Sequence, residues 1–272
     1  RRIRKFGYRV AVSTDHLRLP TVDDALVLAA GAPESLALEP RSWPKHDRRL
    51  ARNRSRYSRW FPVREGPAHR MVRWVDLANA ITGRADPLPV VRFPRDRLPP
   101  PAPSPAPFAV LHPFSAVAER QHPPALYRRI LDALPGGTPW VLSAAPGDLD
   151  RAPEFRPLLE GAALSEAGLE DKAALMAAAR LVVSVDTSVM HLAVGLGAPT
   201  LCLASAAHVI DSVPYDPQMT PDNVTFLYHD MDCRGCLGAC ILSAEGGLYP
   251  CVARLDEARA VAAAAGMWEA GG

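Results

Sequence analysis

Aromatic residues are scarce in this chain of 272 residues, with 7 Phe, 6 Tyr and 5 Trp making up 7% of it. That argues against a protein that stacks bases along a basic groove, and no RNA-binding motif is present. Cysteine numbers only five, too few for a disulfide scaffold. Charged residues are 22% and apolar residues 48%, near soluble globular averages, which excludes a disordered or collagenous chain. The start lacks the apolar core of about 7–15 residues that a secretory signal needs. Arg1 to Phe6 reads as the end of a helix leading into a strand at Tyr8 to Val12, so the chain reads as truncated.

One run lacks charge altogether: Thr187 to Ile210 carries no Asp, Glu, Lys or Arg over 24 residues. That length could span a bilayer. Gly195, Gly197 and Pro199 interrupt it, and His191 and His208 lie near its ends, which suits a buried helix, a tight turn and a strand better.

Proline, by contrast, is abundant at 28, and nine fall between Pro87 and Pro107. A stretch so poor in backbone N–H groups favours extended polyproline geometry and reads as an interdomain linker. The small net charge of +2 is divided unevenly, since residues 1–75 carry 17 Lys and Arg against 7 Asp and Glu. A basic first half suits an anionic partner, whether phosphorylated glycolipid, membrane surface or nucleic acid; a solvated Arg-rich surface is the plainer reading.

The length allows one large domain or two modest ones. Residues 1–86 hold a strand at Tyr8 to Val12, an apolar helix at Asp24 to Ala30 and an amphipathic helix at Ala68 to Ile81, with the Arg-rich Arg41 to Arg64 between the helices. Beyond the linker, 87–107, residues 108–272 alternate short apolar strands with helices. Strands fall at Phe108 to Leu111, Trp140 to Ser143, Leu181 to Val185 and Thr200 to Leu203. Helices fall at Pro124 to Leu134, Leu169 to Ala179 and Ser188 to Leu196. This alternation predicts a Rossmann-like parallel sheet covered on both faces, with ligands beyond the carboxyl ends of its strands.

The stretch VVSVDTSVMHLAVGLGAPTLCL, Val182 to Leu203, is the sharpest such position. A buried strand ends at Asp186, and Thr187 and Ser188 open a helix whose first-turn N–H groups have no intrahelical partner, a natural diphosphate cradle. His191 follows Thr187 by four residues, on the same face. The plainer alternative is that Asp186 merely caps the helix and His191 is a satisfied core histidine.

This segment resembles the D-[ST]-G-x-x-H-L-A signature of glycosyltransferase family 9, the ADP-heptose:lipopolysaccharide heptosyltransferases. LHPFS with ERQHPPALYRRIL, Leu111 to Leu131, is similar to the family's strand, Ser-containing loop and K-x-W-P helix start, and GLEDKAALMAAARLVVSVD, Gly168 to Asp186, to the helix that runs into the signature. FGYRVAVSTDH, Phe6 to His16, resembles the second half of the family's N-terminal domain. The resemblance implies an α/β fold of GT-B type, two Rossmann-like domains across a cleft with the N-terminal one incomplete, and an inverting transferase that needs no cofactor for catalysis. It implies that Asp186 contacts the donor sugar, that Thr187 and Ser188 hold the diphosphate, and that His191 supports that loop. Ser115 and Asp148 join the donor site, and Arg120 stands where the family has a phosphate-neutralising lysine. Such a cation stabilises the leaving diphosphate most at the transition state.

Departures from the pattern are Ser188 for the motif glycine, His122 for tryptophan, and LASAAHVID, Leu203 to Asp211, for G-P-T-D-P. The family's catalytic aspartate is expected upstream of Arg1, so the chain lacks an evident general base; Asp15 is a substitute candidate, with a loop-capping role as its alternative.

Four cysteines form C-x2-C-x3-C-x10-C, Cys233, Cys236, Cys240 and Cys251, within 19 residues. Thiols so spaced can ligate Zn or Fe in a structural site; two redox-labile pairs and unligated thiols are the other readings. Some relatives bind iron through four such cysteines.

The expected function is transfer of a heptose or related sugar from an ADP-sugar to a lipopolysaccharide-type or other anionic glycan or glycolipid acceptor. The expected place is the cytoplasm, peripheral at the inner face of the inner membrane. The rival from another class is a non-catalytic, degenerate GT-B binding or assembly module with a metal-binding Cys knuckle. Nucleic-acid binding is a distant third.

Overall fold

The structure, a computed structural model, describes residues 3–271 and divides into two units, Arg1–Leu88 and Pro89–Gly272.

In the first unit β1 (Val10–Ser13), β2 (Glu34–Leu38) and β3 (Arg59–Phe61) form a parallel sheet in the order β1-β2-β3, with Val12 opposite Leu36 and Leu38 opposite Phe61. The intervening helices are α1 (Asp23–Ala30) and α2 (Asp47–Arg54), and α3 (Arg70–Thr82) follows. The Arg-rich stretch is thus α2 and β3. Its arginines mask the pattern because Leu50 and Asn53 are the only buried residues of α2. Leu36, Leu38, Phe61 and Leu77 make the core. Beside it the fully buried Arg18 pairs with Asp24 at 2.8 Å, and Asp24 also accepts from the Tyr57 hydroxyl at 2.6 Å and from Asn53 Nδ2 at 2.8 Å. A buried charge needs such a set of partners to offset its desolvation.

The second unit has six parallel strands in the order β6-β5-β4-β7-β8-β9. They are β4 (Ala109–His112), β5 (Trp140–Ser143), β6 (Ala162–Ser165), β7 (Leu181–Val185), β8 (Thr200–Leu203) and β9 (Val224–Leu227). The helices are α4 (Pro124–Asp132), α5 (Asp148–Arg151), α6 (Leu169–Ala178), α7 (Ser188–Leu196), α8 (Pro250–Ala253) and α9 (Glu257–Ala270). Side chains of β7 alternate between faces. Leu181 and Val183 join Leu126, Ile130 and Trp268 in one core, while Val182 joins Met176, Val189 and Ala193 in another. A strand buried on both faces must be apolar throughout, as β7 is apart from Ser184.

The proline-rich stretch lies along the second unit: Val91 N–H donates to the Met219 carbonyl, Phe93 N–H to Gly195 and Ala102 N–H to Ala174. The uncharged run forms α7 and β8, and among the described residues no helix is long and apolar enough to cross a membrane.

Candidate functional site

Strand order reverses between β4 and β7. From β4 the chain moves outward to β5 and β6 on one side, then returns to build β7, β8 and β9 on the other. Loops leaving β4 and β7 therefore diverge, and their carboxyl ends are where open sheets of this order bind ligands.

Arg120 from the first loop and Asp186 from the second meet there. Arg120 Nη2 lies 2.6 Å from Asp186 Oδ2 and donates to the Asp186 carbonyl at 2.9 Å, with the side chains only 12% and 2% exposed. The turn after β8 adds Ser205, whose Oγ donates to Asp186 Oδ2 at 3.3 Å. Asp186 does not cap α7; a buried cation attracts its carboxylate more strongly than a helix start does. Thr187 is the N-cap residue in extended backbone, and its side chain makes no capping bond. Instead its Oγ1 turns back to the Val185 carbonyl at 3.5 Å. The first intrahelical bond is His191 N–H to the Thr187 carbonyl. The amides of the first turn thus present the positive end of α7 beside Arg120.

His191 Nδ1 lies 2.6 Å from the Tyr215 hydroxyl, and the Tyr215 ring packs on Phe226. Burial pushes the Tyr215 hydroxyl well above the usual phenol range, so it stays protonated and orients the imidazole. His122, also in the loop before α4, is buried; desolvation lowers its pKa to about 4 despite a hydrogen bond to the Leu203 carbonyl. His112, at the end of β4, is likewise lowered to about 4 by burial and donates from Nδ1 to the Ser143 carbonyl at 2.8 Å. Both rings are neutral props at neutral pH. Cys202 is fully buried in β8.

Two recesses flank the pair. One, of about 140 Å³, is lined by Ser115, Gln121, Asp148, Arg151 and Glu154 among others. Asp148 accepts there from Ala145 N–H and from Arg151, both at 2.6 Å. The other, of about 210 Å³, lies between the starts of α6 and α7 and has Ala167, Leu169, Val189 and Leu192 as apolar walls, with Lys172 and Ser188 as polar groups. Lys172 Nζ donates to the Ala144 carbonyl at 3.0 Å, and burial lowers its pKa. A larger open recess of about 490 Å³ lies between Pro101–Pro107 and Pro199, at the amino ends of the strands, where this architecture does not place ligands.

Tyr215, Ser205 and Lys172 were not evident as members of this region from sequence, whereas His122 was marked only as a departure from the motif tryptophan. Ser205 and Tyr215 lie 19 and 24 residues beyond their partners, and no local spacing links them.

Asp15 stands apart in the first unit, just past β1, where its Oδ1 accepts from Leu17 N–H at 2.8 Å, a loop-capping bond. His16 beside it is held below its usual pKa first by burial and then by Arg73 and Arg41, against a bond from Nδ1 to the Glu39 carbonyl.

Cys233, Cys236, Cys240 and Cys251 line one small cavity of about 10 Å³ with Met231 and Tyr249. The chemistry of four thiols suits a soft metal. As placed they do not form a coordination sphere: among the described residues no group of three or more His, Cys, Asp or Glu could hold a metal ion.

Several solved structures share the fold. The glycosyl transferase family 9 protein of Veillonella parvula aligns over 98% of this chain and 77% of its own, at 14% identity and a TM-score of 0.66. The ADP-heptose LPS heptosyltransferase II of E. coli aligns over 99% and 79%, at 15% identity and a TM-score of 0.63. TibC of enterotoxigenic E. coli, a dodecameric iron-containing heptosyltransferase solved with ADP-D-β-D-heptose, aligns over 97% and 76%, at 10% identity and a TM-score of 0.53. No curated protein matches the sequence. Residues 47–223 match the sequence profile of glycosyltransferase family 9 (heptosyltransferase), which spans more than half the chain. With the two parallel sheets and the reversal of strand order this has one meaning: the chain belongs to glycosyltransferase family 9.

Proposed function

We propose that the second unit binds a nucleotide sugar, ADP-heptose or a related ADP-sugar, and that the sugar passes with inversion to a hydroxyl of a lipopolysaccharide-type or other anionic glycan or glycolipid. The observation that carries the reading is the Arg120–Asp186 pair at the uncapped start of α7. An arginine and a row of first-turn amides converge there, as a diphosphate requires.

In this reading the diphosphate lies over Thr187 and Ser188, and Arg120 neutralises it. Asp186 faces the donor sugar, and His191 holds the loop from behind. Ser115 and Asp148 line the neighbouring polar recess, and the apolar-walled recess beside Ser188 suits the planar base. A base takes the proton from the acceptor hydroxyl, whose oxygen attacks the anomeric carbon from the face opposite the diphosphate. The new carbon–oxygen bond forms as the bond to the phosphate oxygen breaks, and the electron pair leaves with ADP. Negative charge grows on the leaving group as this happens, so a fixed cation and oriented amides lower the barrier more than they stabilise bound donor. Asp15 is the base candidate within the sequence.

The first unit, residues 1–86, takes the acceptor side. Its support is the excess of Lys and Arg and the field of Arg41 and Arg73 at His16, beyond the strand ends. The place proposed is the cytoplasm, peripheral at the inner face of the inner membrane. A structural Zn or Fe on the four thiols is part of the same reading, supported by their donor chemistry and shared cavity rather than by a preformed sphere, and no step of the reaction passes through it.

A thermal-shift screen of nucleoside diphosphates and their sugars tests the reading. Ligand at about a hundred times its Kd stabilises by about 2.7 kcal/mol, enough for a shift of several degrees. ADP-heptose is expected to produce it, and a screen with no response to any nucleoside diphosphate overturns the assignment. The second reading, a non-catalytic assembly module, is favoured by the capping bond of Asp15. It predicts donor binding without release of ADP when acceptor is added.

A further inference from the structure

The cysteine segment is tied to the loop that carries Arg120 and to the turn after β8, whose Ser205 bonds Asp186. Tyr249 N–H donates at 3.0 Å to the carbonyl of Glu119, the residue before Arg120. Gly235 N–H and Leu237 N–H donate at 2.9 and 2.8 Å to the carbonyls of Ala206 and Ala207, the two residues after Ser205. A third bond joins these attachments, since the Tyr249 hydroxyl donates to the Gly238 carbonyl at 3.3 Å. Tyr249 therefore forms a rung between the loop after β4 and the cysteine loop, and the cysteine loop continues the link to the turn after β8.

The linkage has little slack. The cavity between the thiols holds only about 10 Å³. Gly235 has φ +78°, and a Cβ there would lie 3.3 Å from the Val209 carbonyl; Leu237 has φ +56°, a left-handed conformation that costs energy unless its surroundings hold it. The segment is half-exposed, so it is these backbone bonds and held conformations, not a close-packed interior, that would pass a shift along it. In the donor reading a bound phosphate supplies one, because it draws on the Arg120 guanidinium, of which only Nη2 bonds Asp186.

We propose that Tyr249 is a positioning residue that couples the four-thiol segment to the donor site, so that donor binding and thiol accessibility govern each other. The inference rests on the nucleotide-sugar reading. Coupling between two sites is reciprocal in free energy: if ADP tightens the cysteine loop, disturbing the loop must weaken ADP by a like factor.

The test uses the full chain in its reduced form, treated with a chelator so that no metal occupies the thiols. Iodoacetamide labelling of Cys233, Cys236 and Cys240 is followed by peptide mass spectrometry with and without saturating ADP, with buried Cys202 as the unreactive reference. ADP is expected to slow labelling at least about fivefold, the lower end of ordinary coupling. Prior alkylation is expected to weaken calorimetric ADP affinity. Tyr249→Phe, which removes only the bond to Gly238, is expected to bring the ratio of rates with and without ADP close to one. Equal rates in the parent protein while ADP binds, or full protection persisting in Tyr249→Phe, overturns the coupling and leaves the donor reading standing. No calorimetric ADP binding at all overturns the donor reading and the coupling with it.

Discussion

Replacing Arg120 with alanine separates what this side chain contributes to stability from what it contributes to donor binding. Removing one partner of a buried ion pair strands the other, at a cost of about 3–5 kcal/mol. Asp186 would be stranded, since its carboxylate is 2% exposed and keeps only the long contacts from Ser205. A lost charge-assisted hydrogen bond to phosphate costs about 1.5–3 kcal/mol, which is roughly a ten- to hundredfold weaker Kd. Transfer should fall further, by about 10²–10³ in rate, because charge accumulates on the leaving group only at the transition state.

Isothermal titration with ADP-heptose and urea unfolding measure the two effects on one preparation. Arg120→Lys keeps the charge and is expected to recover part of the ADP affinity while losing the second contact to the Asp186 carbonyl. Asp186→Asn keeps the shape and removes the charge. Arg120 then keeps its bond to the residue 186 carbonyl but loses its charged partner, so ADP should bind as well or better, while ADP-heptose, deprived of a carboxylate facing the sugar in the proposed reading, should bind less tightly. An Arg120→Ala protein that is folded and binds ADP-heptose as the parent does refutes the reasoning.

Stability should depend on pH through His112 and His122. Their pKa values in the folded protein are about 4, whereas the unfolded value is about 6.5, so the unfolded chain takes up protons first on acidification. Their contribution is therefore complete above about pH 6.5 and is lost as pH falls toward 4, by up to about 3 kcal/mol for each ring. Urea unfolding that gives one midpoint at pH 7 and pH 5 contradicts this. Gly195→Ala should leave stability nearly unchanged, since alanine favours helices by about 1 kcal/mol while the new Cβ would lie 2.6 Å from the Phe93 ring. The Phe93 ring is 45% exposed and can turn aside, so the cost should be at most about 1 kcal/mol, and faster proteolysis within 89–107 would show the stretch lifting away. Asp24→Ala should cost about 3–5 kcal/mol by stranding buried Arg18. Glu39→Ala, which breaks the exposed pair with Arg54, should leave the unfolding midpoint unchanged.

What could be read from the chain follows from how locally each feature is encoded. The β7–α7 turn was legible because a run of five buried strand residues, an acid, two hydroxyl residues and an uncharged helix follow one another without interruption. β6 was not, since Ala162–Ser165 has no buried residue and no apolar alternation to show. β2 was hidden between a short turn and a proline, and α9 by a run of alanines that carries little periodicity.

The site was legible as residues but not as relations. Sequence assigned Arg120 to phosphate and Asp186 to sugar as separate tasks; the fold joins them at 2.6 Å across 66 residues of chain. That contact exists because strand order reverses between β4 and β7, and no feature near either residue encodes the reversal. The pairing also alters the chemistry. In the proposed reading a lone arginine would attract any anion, whereas one already paired with a buried carboxylate favours a ligand that also satisfies Asp186. A nucleotide sugar is therefore expected to bind more tightly than free phosphate, with Ser205 holding Asp186 beside the start of α7.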